Sequence, residues 1–156
     1  MSDAPLGKPE IPGRTPERFN KAGASKLPGH LGVVITEVGE SRVVGELAVV
    51  EFVMAPNGYL HAGTIVTLAD TVAGYGCVVS LPADAVGFTT VELKSNHLGT
   101  TRDGTIVAIA TPLHRGKTTQ VWDAVVTHKE SARTLALFRC TQLILYTKPK
   151  AASEFP

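Results

Sequence analysis

Residues 57–76 read "NGYLHAGTIVTLADTVAGYG", and the fold turns on how this stretch is read. Ile65, Leu68, Ala69, Val72, Ala73 and Gly76 recur at the three- and four-residue steps of one helical face. Gly63, Thr67, Asp70, Gly74 and Cys77 fall within a narrow arc on another side. A single carboxylate, Asp70, therefore sits in a helix that is otherwise apolar and built from small residues. Pro82 discourages continuation through Leu81, so the helix is predicted to end near "SLPAD" at residues 80–84.

Upstream, "HLGVVITEVGESRVVGELAVV" (residues 30–50) reads as two strands joined at Gly39-Glu40-Ser41. The loop "MAPNGYL" (54–60) leads into the helix. Downstream, β-rich segments are predicted near Val86–Leu98, Thr105–His114, Thr118–Lys129 and Arg133–Tyr146. They are separated by "GTTRDGT", "RGK" and "KESAR", in which Asp103-Gly104 is a strong turn pair. Short turns force antiparallel neighbours. The expected fold is α+β: one antiparallel sheet curled around one long helix, each burying the other. Residues 1 to about 20 carry four prolines without periodicity and read as a flexible or surface-laid arm. Residues 21–147 form the domain, and 148–156 a tail.

The 156 residues suffice for one domain with a real core. Lys plus Arg number 15 against 14 Asp plus Glu, scattered along the chain, which argues against nucleic acid or an anionic membrane as partner. The 2 cysteines, Cys77 and Cys140, form no C-x-x-C pair. The histidines have no metal-ligand spacing, so no metal is expected. Cysteine usage, the absence of an apolar leader core and the lack of an uninterrupted apolar run near ~18 residues predict a cytoplasmic protein.

With "HAG" (61–63) opening the helix and "LAD" (68–70) inside it, this element order resembles the hotdog fold. More narrowly, it is similar to the PaaI-type and 4-hydroxybenzoyl-CoA-type acyl-CoA thioesterases, whose helix opens H-G-G and continues L-A-D or L-A-E. "TVELKSNHLGT" (90–100) resembles the family's T-V-E-L-K-x-N-F-L-R-P strand. "HRGKTTQVWDAVV" (114–126) resembles its G-K-x-x-x-x-x-D-x-x-V strand. The chain departs from the pattern at Ala62, at Gly99-Thr100 in place of R-P, and at Ala55. Ala55 stands where a polar residue often precedes the His by six places, leaving Asn57 as a stand-in.

The resemblance implies hydrolysis of an aromatic or medium-length acyl-CoA. Such chemistry needs donors for a developing oxyanion and a group that attacks or activates water. The first turn of a helix supplies unpartnered N–H groups at a positive dipole end, and Gly63 leaves one unobstructed. Asp70 is the candidate nucleophile or general base. Gly63 and Asp70 stand seven residues apart, about 10 Å along the axis, whereas one carbonyl needs both within about 3–3.5 Å. Two antiparallel helices from two chains can meet that requirement, with Gly74 permitting close approach. A homodimer with composite sites is expected, extended to a dimer of dimers.

His61 is expected to orient substrate or hold the helix start. Asn57 joins it, Gly63 and Asp70 in the candidate catalytic set. Ala62, Gly74, Asn96 and His97 form the candidate substrate-contacting set; ordinary packing is the alternative for His97. "GKTT" (116–119) fails as a phosphate-binding P-loop, because Thr111 stands where its first glycine belongs. As a turn, its Lys117 and Thr118, with Arg115, are the residues the resemblance assigns to the coenzyme A phosphates. No G-x-S-x-G elbow is present. Coenzyme A enters as part of the substrate, and no separate cofactor is expected. A hotdog enoyl-CoA hydratase or dehydratase, and a non-catalytic acyl-CoA-binding protein, are the rival readings.

Overall fold

The computed structural model describes residues 14–147. Two helices come first, α1 (Pro16–Gly23) and α2 (Leu27–Leu31), followed by strands β1 (Val34–Gly39) and β2 (Arg42–Ala48). A 3-10 turn (Glu51–Val53) precedes the long helix α3 (Ala62–Val79). Four strands close the chain: β3 (Ala85–His97), β4 (Thr105–Arg115), β5 (Thr119–His128) and β6 (Thr134–Tyr146). The strands make one antiparallel sheet in the order β1-β2-β4-β5-β6-β3. This is the helix-in-sheet arrangement expected from the sequence.

The core is where α3 meets the concave face of the sheet. Ile65, Leu68, Ala69, Val72, Ala73 and Cys77 are buried against Val43, Leu47, Ile106, Ala108, Ala110, Trp122, Ala124 and Val126. Gly76 makes the closest approach: a Cβ there would lie 2.4 Å from the Trp122 ring. Only a bare backbone lets the indole lie flat on the helix. By length and composition α3 could cross a membrane, yet most of it is buried inside the domain, which is how a core helix reads.

The sheet carries a buried polar line beneath α3. Trp122 Nε1 donates to Gln120 Oε1 (2.9 Å), and Gln120 Nε2 donates to the Ser80 carbonyl (3.0 Å). These bonds pin β5 to the C-terminal end of α3 and satisfy groups that burial would otherwise penalise.

The N-terminal helices are the main departure from expectation. The arm was expected to run to about residue 20, but Pro16–Gly23 is helical. Thr15 caps it by accepting from the Arg18 N–H, and Pro16 starts it, a favourable pairing at a helix start. Phe19 then stacks on Tyr75 of α3 with ring centroids 4.2 Å apart. Asn20 clamps the helix to β1, donating to the Ile35 carbonyl (3.0 Å) and accepting from the Ile35 N–H (2.7 Å). The rest of the expected arm, 1–13, and the tail, 148–156, lie outside the described residues.

Candidate active site

Asp70 stands on α3 where the helix faces β3 and α2. Its Oδ1 is buried without a hydrogen-bond partner among the described residues. Burial holds the carboxyl above its ordinary pKa, because the charged form loses water and gains nothing in exchange. The carboxyl lines a cleft of about 250 Å³ with Thr71, Gly74, Tyr75 and Val78 of α3, Phe88 and Thr90 of β3, and Pro28 of α2. Gly74, one of the expected substrate contacts, lines the same cleft and lies under Phe88: a Cβ would come within 3.3 Å of the ring.

Thr90, Phe88, Tyr75 and Pro28 were not anticipated. Thr90 donates to Gln142 Oε1 (2.9 Å), and Gln142 is fully buried with its amide nitrogen on Cys140 Sγ (3.2 Å). The hydroxyl is thereby fixed at the cleft wall. A glutamine in the mostly apolar segment "CTQLIL" (140–145) was the available signal for a buried polar anchor.

At the other end of the helix, Gly63 lies in the first turn of α3 and is exposed. Its N–H donates to His61 Nδ1 at 2.8 Å. His61 is thus the N-cap, the helix-start role that was one of its two expected readings, and it occupies the amide expected to meet a substrate oxygen. Ala62 follows, also exposed. Asn57 turns inward on its own loop, accepting from the Tyr59 N–H (3.2 Å). Within one protomer, α3 separates Gly63 from Asp70 by about two turns, some 10 Å along the axis.

The remaining expected residues divide by strand parity. A bulge between Thr90 and Glu92 resets β3, after which Leu93, Ser95 and His97 pair with the inward Cys140, Phe138 and Ala136. His97 is therefore on the helix side of the sheet, exposed at the strand end. Asn96 faces the opposite way. It pairs with exposed Leu137 and lines an outer groove with Lys94, Asp123 and Arg139, so in this protomer it does not reach the cleft with Asp70.

Arg115, Lys117 and Thr118 form the β4–β5 turn. Arg115 donates to the Glu40 carbonyl (3.2 Å), the Lys117 carbonyl accepts from the Tyr146 hydroxyl, and the Thr118 carbonyl accepts from the Ile144 N–H (2.8 Å). None of these contacts uses the Lys117 ammonium, which has no bonding partner among the described residues. This turn lies towards the end of α3 marked by Ser80, while Gly63 opens the other end; an 18-residue helix spans about 27 Å. Among the described residues, no three His, Cys, Asp or Glu side chains gather as a metal site.

Comparison with known proteins agrees with this architecture. The family model described as Thioesterase superfamily matches residues 57–135. The chain is 38% identical over 111 residues, 71% of its own length and 89% of the relative's, to a 1,4-dihydroxy-2-naphthoyl-CoA hydrolase of Listeria monocytogenes. Its fold superposes on a thioesterase crystal structure from Haemophilus influenzae with TM-score 0.81 and 27% identity, covering 88% of this chain and 94% of that one. It also superposes on the PaaI protein from the phenylacetic acid degradation operon of Escherichia coli, with TM-score 0.68 and 25% identity over 76% and 83% of the two chains. The chain belongs to the thioesterase superfamily, as a hotdog-fold thioester hydrolase.

Proposed function

We propose that the protein hydrolyses an aromatic or medium-length acyl-CoA to the free acid and coenzyme A, as a homodimer with composite sites. The observation that carries this reading is the orphaned Oδ1 of Asp70, a carboxylate kept half-buried without a partner among the described residues, in the cleft between α3, β3 and α2. A structural carboxylate in such a place would be expected to have a donor. One kept without a donor and held above its ordinary pKa suits a base or nucleophile.

Asp70 of one chain then acts on a thioester whose carbonyl oxygen receives the Gly63 N–H of the other. Along one route the carboxylate takes a proton from water, whose oxygen attacks the carbonyl carbon. Along the other, Asp70 attacks first and water opens the resulting anhydride. Either way the C–S bond breaks, and the thiolate leaves and takes up a proton. His61 releases the amide to the substrate oxygen as the complex forms. Arg115, Lys117 and Thr118 serve the coenzyme A phosphates of a site whose Gly63 belongs to the partner, since the antiparallel pairing brings opposite helix ends together. A cytoplasmic location fits two buried free thiols, Cys77 and Cys140.

The edge strand favours a dimer. β3 ends the sheet; Val86 and Val91 on it, and Leu98 just past its end, are 62, 60 and 63% exposed. An uncovered apolar edge of this kind is what a second β3 would pair with. The test is subunit complementation. Asp70→Ala and Gly63→Val chains, each inactive alone, are mixed through unfolding and refolding. A composite site restores about a quarter of wild-type turnover, because half the dimers are mixed and each has one intact site. No recovery in refolded, dimeric mixtures would show that both groups act within one chain.

A further inference from the structure

Two residues on the inward face of β6, Cys140 and Gln142, are fully buried behind the wall of the Asp70 cleft. A buried amide is costly unless its groups are bonded, and both ends of Gln142 are. Its Nε2 donates to Cys140 Sγ (3.2 Å), and its Oε1 accepts from the Thr90 hydroxyl (2.9 Å). Thr90 stands opposite Gln142 in the β3–β6 pairing and lines the cleft together with Asp70. A threonine hydroxyl has one proton and two lone pairs, whereas an ionised carboxylate only accepts. With its proton committed to Gln142, Thr90 offers the cleft an acceptor. Thr71, the other threonine of the cleft, donates to the Thr67 carbonyl (2.6 Å). Asp70 Oδ1 therefore stays without a partner among the described residues although two hydroxyls share its cleft.

We infer that Gln142 is a positioning residue for hydrolysis: it draws the Thr90 proton away from the cleft and so keeps the Asp70 carboxylate free of a hydrogen bond. This role rests on the thioesterase reading and falls to a residue that touches neither substrate nor reacting atoms. A carboxylate without a donor is the stronger base, because a donor stabilises the charged form. Burial pushes the Cys140 thiol up to about 12, with the Asp70 charge among the further causes, so the β6 end of the chain lies within electrostatic reach of the carboxyl. Burial also raises the Tyr75 hydroxyl above its ordinary value. Both groups are therefore neutral in acid. Glu92 of β3 is exposed and accepts from the Thr141 hydroxyl (3.4 Å), while α2 brings Pro28 to the cleft and leaves His30 exposed. The Thr90 proton is thus the one whose direction Gln142 decides.

The test follows the Asp70 carboxyl by NMR in aspartate-labelled protein, with Asp70→Asn identifying its signal, beside kcat and KM for benzoyl-CoA against pH. Gln142→Met keeps the length of the side chain and removes the amide. The Thr90 proton is then free to turn to Asp70, and the carboxyl is expected to titrate about one pH unit lower, the scale of one hydrogen bond to a charged group. The acid limb of kcat moves down with it, and kcat at neutral pH falls while KM holds. In a Thr90→Val background the same Gln142→Met change is expected to move neither, since no proton is left to redirect. That pattern supports the role. A folded Gln142→Met protein whose Asp70 titrates as in the wild type overturns it, as does a shift that persists in the Thr90→Val background. A wild type that hydrolyses no acyl-CoA, with the Asp70 signal still moving as expected, overturns the thioesterase reading and leaves the coupling of Gln142, Thr90 and Asp70 standing.

Discussion

Gly63 gives its amide hydrogen to Nδ1 of His61, 2.8 Å away, within the first turn of α3. The bond requires a lone pair on Nδ1, so the ring carries its proton on Nε2. It also caps the helix, whose first-turn donors otherwise lack partners. Removing it with His61→Ala is expected to cost about 1 kcal/mol, seen as a fall of about 2–4 °C in melting temperature, whereas His61→Asn retains most of that stability. Equal melting of the alanine and asparagine variants would deny His61 the capping role.

Asp70 makes the protein's stability depend on pH in an unusual direction. The unfolded chain ionises this carboxyl near 3.8, and burial raises the value in the folded state. Between the two values the folded protein holds more protons than the unfolded one, so this group's contribution falls as pH rises through the window. Asp70→Asn is therefore expected to melt above the wild type at neutral pH, with the gap closing as pH falls below the ordinary carboxylate range. Melting curves at several pH values decide the matter; a gap that widens in acid would contradict it.

The same variant is expected to lose turnover by about 10²- to 10⁴-fold while remaining folded. Wild-type kcat should fall in acid with an apparent pKa above that of an ordinary aspartate, since the proposed reaction uses the ionised carboxylate. A flat acid limb would remove Asp70 from the reaction.

A charge on the exposed edge should separate the copies. Val91→Lys places an ammonium at a 60% exposed position of β3 and is expected to yield monomers by sedimentation, with activity lost in parallel. Monomers with full activity would refute the composite site.

Gly76 tests the core. With Trp122 carbons 2.4–2.8 Å from where a Cβ would stand, Gly76→Ala must push a rigid indole or the helix itself. The expected cost is about 1–3 kcal/mol, measured by chemical denaturation. An alanine variant as stable as the wild type would mean that the ring has room to shift.

The long helix and the strands were legible because their periods, 3.6 and 2, are imposed by which side meets the core. Asp70 and Gly63 were legible because a carboxylate in an apolar helix, and a glycine in its first turn, stand out against that pattern. Pro16–Gly23 escaped because proline density suggested an arm, although Thr15-Pro16 is a sound helix start. The cleft's walls were harder still. Thr90 and Phe88 reach Asp70 through the pairing of β3 with β6, a contact between distant segments that no local pattern encodes. The facing of Asn96 was hidden for a related reason, since the bulge between Thr90 and Glu92 shifts every side chain beyond it and turns Asn96 to the outer groove.

That pairing also sets when the protein can mature on the ribosome. β3 bonds to β6, joining Ala85 with Tyr146 and His97 with Ala136 across dozens of intervening residues. Phe88 and Thr90 cannot take their places until the last strand has emerged, and such long-range closure is slow. In the interval a nascent chain has a bare, aliphatic-rich ribbon that other copies can seize, so the step that completes the cleft is also the one most exposed to misassembly.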